Sequence, residues 1–466
     1  MAFVAWLASA SGCISPGHAG RCCVDRDLAA RTGHELGPTT PPCRVVIPEW
    51  VQWEDGLSEE EAVAVGLWNH PAYQELLADL EITRADVLQA AQLQNPQIST
   101  MFPLGPKQWE FTLNLPLDVL WLRPIRVAAA QLESKRVARR LVQDGLNVVR
   151  DVRVAHIDWQ FAVARLKLAQ EGFQLRSEIA RIAEARLAAG ELAELDVSAM
   201  RLDASFGEGE VVNAAAQADL ARERLRYLLG IELTEFSITP TSTPGPLAAE
   251  FDADELVAEA VACRPDLRAV QLAVSAARQR ADLARRDLWQ LSGTLPDING
   301  RGAKGFEAGP GLQMTLPIFH QNQGAVARAE ADAERLRRQY VKLRDTIAWE
   351  VRQAHIQLCQ ARQDLAIWRD EVVPQAQVAS TSARRALQED GVSLLLVLET
   401  TRQRFTARQR ELEAAAQVRR AMAELDRSVG RRLSGESELP PGESELPPGD
   451  AGPIPPPGVE KGETIP

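Results

Sequence analysis

No run of about 18 apolar residues occurs in this 466-residue chain, so it contains no membrane-spanning helix. Any embedding in a membrane must come through barrel strands or a lipid. Basic excess is also missing: 52 Lys and Arg stand against 64 Asp and Glu, a net charge of −12. A nucleic-acid binder needs a basic face, so that class is set aside. There is no Gly-rich phosphate loop, no nucleophile–base pair and no legible pair of carboxylates, so no enzyme chemistry and no cofactor are expected. The six cysteines lack zinc-like spacing. Four of them, Cys13, Cys22, Cys23 and Cys43, fall before residue 44. Cys263 and Cys359 stand alone in helical sequence and are expected to be small buried or half-buried residues.

What is present is a duplication. Val152-Arg153-Val154-Ala155-His156-Ile157 returns as Val351-Arg352-Gln353-Ala354-His355-Ile356. Pro96-Gln97-Ile98 matches Pro296-Asp297-Ile298, and Leu115-Pro116-Leu117 matches Leu316-Pro317-Ile318. Gly190, Arg201 and Gly230 match Gly391, Arg402 and Gly430. An ordered series at offsets of 199 to 201 marks a repeated structural unit.

Periodicity predicts the content of that unit. From Val326 through Ala333, Tyr340, Ile347, Val351, Leu358 and Leu365 to Val372, apolar residues step by three or four, a coiled-coil seam. The run predicts one helix over about 321–388, interrupted near its far end by Pro374. The first copy carries an equivalent run over about 124–188. Breaks at Gly190 and Gly391 turn each long helix into a returning one, over 193–229 and 393–430. A further helix precedes each, at 59–94 and 252–290. Between lie two β-like inserts, Gln97–Leu117 and Asp297–Phe319. They are marked by alternation at Trp109, Phe111, Leu113 and Leu115, and at Leu312, Met314, Leu316 and Ile318.

The resulting division is a signal-like or lipoprotein-like segment at 1–13, an extended arm at 14–58 and repeats at 59–230 and 251–430. A linker fills 231–250, and a Pro/Gly/Glu-rich disordered tail fills 431–466. Ala10-Ser11-Gly12-Cys13 has the small residues expected before an acylated cysteine, but no charged n-region precedes it. Two readings stay open: a start placed too late with Cys13 lipidated, or an ordinary export signal.

The order helix, β-hairpin, long helix, return helix, given twice, resembles the TolC-like outer-membrane efflux protein family over about 59–430. Asn69-His70-Pro71, the junction prolines Pro116 and Pro317, and the turn from Arg186 to Val197 carry the likeness. In that turn Leu187 stands where the family has Tyr, and the second turn, Gly391 to Leu398, is looser. The resemblance implies a mainly α protein: a homotrimeric α-barrel with a short twelve-stranded β-barrel. It implies an outer-membrane location with a periplasmic extension, and a passive duct for metal cations or drugs. The partners would be an inner-membrane pump, a periplasmic adaptor and outer-membrane lipid. The tips would contact the adaptor through Arg186, Gly190, Leu195, Asp196 and Val197, and through Gly391, Leu395 and Leu396. His156 and His355 hold equivalent places, where a shared packing role is expected rather than a metal. The inserts leave little room for strands of about 9–11 residues, so a short, loopless barrel is expected. The alternative is a lipid-anchored periplasmic scaffold or adaptor whose rim does not span. An aromatic girdle of Phe102, Trp109 and Trp121 would speak for the spanning form.

Overall fold

The computed structural model describes residues 20–39, 44–51, 56–101, 110–231, 251–288, 291–295, 299–300, 306–307, 311–388 and 392–433. Helix α1 (Arg21–Thr32) comes first. The first repeat then runs α2 (Glu59–Asn69), α3 (Pro71–Ala91), β1 (Gln97–Met101), β2 (Glu110–Pro116), α4 (Val119–Ala188) and α5 (Glu194–Leu229). The second runs α6 (Ala253–Cys263), α7 (Pro265–Arg286), β3 (Leu291–Leu295), β4 (Asn299–Gly300), β5 (Phe306–Glu307) and β6 (Gly311–Met314). It continues with α8 (Gln323–Ala366), a π-helical segment (Ile367–Val372), α9 (Val373–Gln388) and α10 (Leu394–Val429).

Local chemistry sets these boundaries. Ser58 and Glu61 form a capping box on α2, and Asp252 caps α6 through the Asp254 amide. The expected single helix before each insert is split in two, at His70 and at Arg264. In both cases a proline occupies the first turn of the second helix, where its missing N–H costs nothing. Gly230 and Gly430 end the return helices in the left-handed region, with φ of 67° and 94°. Pro374 has no N–H for its helical acceptor. The interruption expected there takes the form of the six-residue π turn just before it.

Helix α4 is 70 residues long, which at 1.5 Å per residue is about 105 Å. No compact core can bury so long a stripe, so the apolar residues form separate clusters. One joins α1–α4 and α5 around Leu28, Tyr73, Val152 and Leu225. A second joins α6–α8 and α10 around Leu267, Ile347, Leu358 and Leu425. The third, around Ile179, Val197, Met200, Leu394 and Leu398, lies where the hairpins turn.

The two inserts share one antiparallel sheet of order β1-β2-β3-β6, in which Leu113 pairs with Leu295 and Gly293 with Leu312. Its strands have 5, 7, 5 and 4 described residues, short as expected. Three details differ from expectation. The second insert begins at Leu291, not Asp297, because Leu291–Leu295 already pairs as a strand with β2 and β6. Trp121 lies in the first turn of α4 rather than in a strand; Phe102 and Trp109 fall outside the described residues. The arm expected to be extended carries helix α1, whose Val24 and Leu28 are buried in the first core. The linker 232–250, most of the tail and Cys13 fall outside the described residues.

Candidate functional site at the hairpin tips

At the first tip, Gly190 takes φ 77° with open space around it, so backbone conformation and not crowding demands glycine there. The Glu191 amide donates to the Arg186 carbonyl and the Gly190 amide to the Leu187 carbonyl, closing α4 as a Schellman turn does. Helix α5 then starts at Glu194, with Glu194 and Asp196 in its first turn, where carboxylates favour the positive end of the helix dipole. Val197 points inward and is buried with Met200. Leu195 points outward and is 80% exposed.

The second tip repeats the pattern without the acid. Ser393 caps α10 by accepting the Leu396 amide, and no acidic residue lies in its first turn. Leu394, Val397 and Leu398 are buried, whereas Leu395 and Leu396 are exposed. Gly391 falls outside the described residues. The residues nominated at the tips therefore divide into two kinds. Leu195, Leu395 and Leu396 form an outward apolar set. Gly190, Arg186 and Val197 shape the turn beneath it.

One ion cluster ties the hairpins together above the tips. Asp203 of α5 is almost fully buried, and Arg402 of α10 donates to it through Nε at 2.7 Å. Arg176 of α4 approaches the same carboxylate at 3.6 Å and reaches Glu210 at 3.1 Å. Arg201, the proposed counterpart of Arg402, instead bonds Glu184 within its own hairpin. Burial explains the mismatch. Val197, Gly207, Ala214, Leu225 and Leu229 are buried on α5, and Val397, Ala407, Ala414, Leu425 and Val429 on α10, an offset of 200.

The two histidines hold equivalent structural bonds. His156 Nε2 lies 2.8 Å from the Leu57 carbonyl and His355 Nε2 lies 3.0 Å from the Phe251 carbonyl. Each ties a long helix to the residue before a capped helix. Burial pushes the His156 pKa below the usual imidazole range. The sequence reading that neither histidine has a Cys or His partner four residues on fails at His355: Cys359 follows at that spacing, and its Sγ lies 3.7 Å from Nε2. It is exposed, not buried as expected. Among the described residues no group of three or more His, Cys, Asp or Glu is arranged to hold a metal ion.

A second ion network, not foreseen from the sequence, joins the repeats at the other end of the hairpins. Arg153 donates to Asp426 at 3.1 Å, Arg150 to Glu424 at 3.2 Å, and Arg420 to Asp158 at 2.6 Å. Arg31 of α1 donates to the Gly430 carbonyl at 3.0 Å, clamping the end of α10. Burial raises the Asp426 pKa to about 6 despite Arg153 beside it. Burial also opposes the Glu60 carboxylate, but a hydrogen bond from His34 and the charges of Arg153 and Arg432 outweigh it, holding that group at about 2.

Comparison with known proteins places this geometry. Residues 256–431 match the model of the family described as outer membrane efflux protein. The second repeat carries the sequence pattern of that family. It is 27% identical over 396 residues to the cobalt-zinc-cadmium resistance protein CzcC of Cupriavidus metallidurans, covering 80% of this chain and 90% of the relative. Its fold is that of solved outer-membrane channels. Campylobacter jejuni CmeC superposes with a TM-score of 0.68 at 14% identity, over 86% of this chain and 92% of that one. The outer-membrane channel OprN gives 0.67 at 20% identity, over 85% and 94%. The family match lies in the second repeat, and the likeness in fold extends across both.

Proposed function

We propose that this chain is the outer-membrane exit duct of a tripartite efflux system, passing divalent metal cations delivered by an inner-membrane pump through a periplasmic adaptor. The observation that carries the reading is the polarity of the repeats. Both contribute strands to one sheet, both extend long hairpins from it, and both tips present exposed leucines. Among the described residues the sheet of order β1-β2-β3-β6 has two unpaired edges. Three copies side by side would pair all of them in a twelve-stranded barrel, the arrangement that leaves no backbone group unsatisfied in lipid. The hairpins would then reach into the periplasm as an α-barrel, with Leu195, Leu395 and Leu396 meeting the adaptor. The relative named for cobalt, zinc and cadmium resistance favours metal cations over drugs as cargo. Transport through such a duct is passive, and no catalytic step is assigned to the chain. A lipid on Cys13 would add a second anchor in the outer membrane.

Deleting the gene is expected to sensitise the host to cobalt, zinc and cadmium salts, and the intact chain to restore resistance. Gly190→Trp should abolish restoration without lowering the amount of exported protein, because a bulky residue cannot hold the left-handed turn. In planar lipid bilayers the purified protein is expected to give discrete conductance steps. Stable trimers without conductance would overturn the spanning duct and favour the lipid-anchored scaffold.

A further inference from the structure

The second long helix carries a pair of side chains that the first lacks. On α8, Cys359 follows His355 by four residues, a spacing that brings both side chains onto one face of the helix. Cys359 Sγ lies 3.7 Å from His355 Nε2. The same nitrogen lies 3.0 Å from the carbonyl oxygen of Phe251, the residue before the Asp252 cap of α6. A thiol sulfur and a carbonyl oxygen therefore flank one imidazole nitrogen. Cys359 is exposed and His355 half-buried, so solvent reaches the group through the sulfur. At the equivalent place on α4, His156 meets the Leu57 carbonyl at 2.8 Å, but position 160 holds glutamine. Gln160 is taken up by Arg419 of α10, and His156 is fully buried. The first copy has the structural tie alone; the second keeps the tie and adds a thiol.

The separation of the two side chains suits a metal ion. A tetrahedral Zn²⁺, with bonds of about 2.3 Å to sulfur and about 2.0–2.1 Å to nitrogen, holds those two atoms roughly 3.6 Å apart. The observed 3.7 Å agrees with that separation. A carbonyl only accepts, so in the metal-free chain Nε2 carries the proton that points at Phe251. A cation taking the place of that proton meets the carbonyl oxygen and comes within reach of the sulfur. The Arg362 guanidinium lies 6.0 Å from the centre of the Phe251 ring, and its charge opposes cations held by electrostatics alone. Thiolate and imidazole select instead for borderline and soft metals over Mg²⁺ and Ca²⁺.

We infer that Cys359 and His355, with the Phe251 carbonyl, form a binding site for one borderline or soft divalent cation of the Zn²⁺ and Cd²⁺ class. Binding releases the thiol proton to solvent and moves the imidazole proton from Nε2 to Nδ1. A thiolate, a neutral imidazole and a carbonyl then surround the metal. Among the described residues no further His, Cys, Asp or Glu joins the pair, so water completes the coordination. An open position leaves the metal exchangeable, unlike the closed four-ligand sites that hold folds together. The cation replaces the hydrogen bond between α8 and the chain entering α6 with a metal bridge at the same place. The site needs one chain only and stands or falls independently of the proposed duct.

The test adds Cd²⁺ to the full-length protein in detergent and follows the thiolate-to-cadmium charge-transfer absorbance. The wild type is expected to bind one more Cd²⁺ per chain than Cys359→Ser, which removes the other cysteines as its source. His355→Gln, whose amide can still donate to the Phe251 carbonyl, should weaken that cation by about 10–100-fold, no less than the loss of an outer-shell partner does. Its melting without metal shows whether the variant is folded. Equal binding by the wild type and Cys359→Ser overturns the site. So does unchanged affinity in a folded His355→Gln, which leaves a thiol capturing metal by itself. If that variant does not fold, the unaltered protein decides. Its alkylation by a maleimide, read residue by residue from peptide masses, should slow at Cys359 with Zn²⁺ and not with Mg²⁺. Equal labelling of Cys359 with and without Zn²⁺ overturns the inference.

Discussion

Ile157 and Ile356 occupy the same position in two copies of one helix, yet the first lies in a core and the second in solvent. The same holds for Arg153, buried against Asp426, and Arg352, which pairs with Asp254 at 3.1 Å on the surface. Duplication supplied each copy with the same pattern, but among the described residues a covering helix lies over the first copy alone. Apolar residues kept where no described residue covers them are consistent with the proposed packing of one copy on another.

Substitutions at paired positions break or sharpen this contrast. The largest expected effect is at the isoleucines. Ile157→Ala should cost about 2–5 kcal/mol of folding stability, the range for emptying a filled core site. Ile356→Ala should leave the protomer within about 0.5 kcal/mol and lower the fraction of assembled protein; denaturation and sedimentation separate the two outcomes. Next come the arginines. Arg153→Ala leaves the buried Asp426 without its partner and should cost about 3 kcal/mol, whereas Arg352→Ala removes an exposed pair and should cost about 0–1 kcal/mol.

The glycines that end the return helices come third. A Cβ on Gly230 would lie 2.2 Å from the Asn69 carbonyl oxygen, whereas one on Gly430 would meet the Arg264 side chain at 3.1 Å. Both alanine variants strain a left-handed residue by roughly 1–3 kcal/mol, and Gly230→Ala should lower the melting temperature more because a backbone atom cannot yield as a side chain can.

The smallest effect is one of pH. Asp426 holds its proton up to about pH 6 in the folded protein, against about 4 in an unfolded chain. Its contribution to stability is full below the unfolded value and is lost as pH rises through about 6. Asp426→Asn should flatten that decline in urea titrations between these limits. Glu60, held at about 2, acts in the opposite sense and loses its contribution as pH falls toward that value.

Most of the architecture was legible in the sequence because helices of this length repeat their apolar pattern many times. The turn at Gly190, the caps at Gly230 and Gly430, and the order of elements in both repeats follow from residues whose local roles leave few alternatives. Helix α1 was not legible: its 12 residues have little amphipathic pattern, and its order comes from packing on α4 and from the Arg31–Gly430 bond. The start of β3 was missed because Leu291 to Leu295 carries a glycine and no clear alternation. Of the tip residues, spacing located the turn but did not separate Val197, which faces the core, from Leu195, which faces out. The ion clusters at Asp203 and Asp426 were invisible because they join residues about 200 to 270 positions apart. Pairing between repeats follows from the packing of whole helices, which no local pattern encodes.

Native mass measurement of the detergent-solubilised protein tests the account most directly, made on the wild type and on Ile356→Asp. The account predicts three copies per particle for the wild type and a folded single copy for the variant. A wild-type protein that remains a single copy, or an Ile356→Asp protein that assembles as the wild type does, would contradict it.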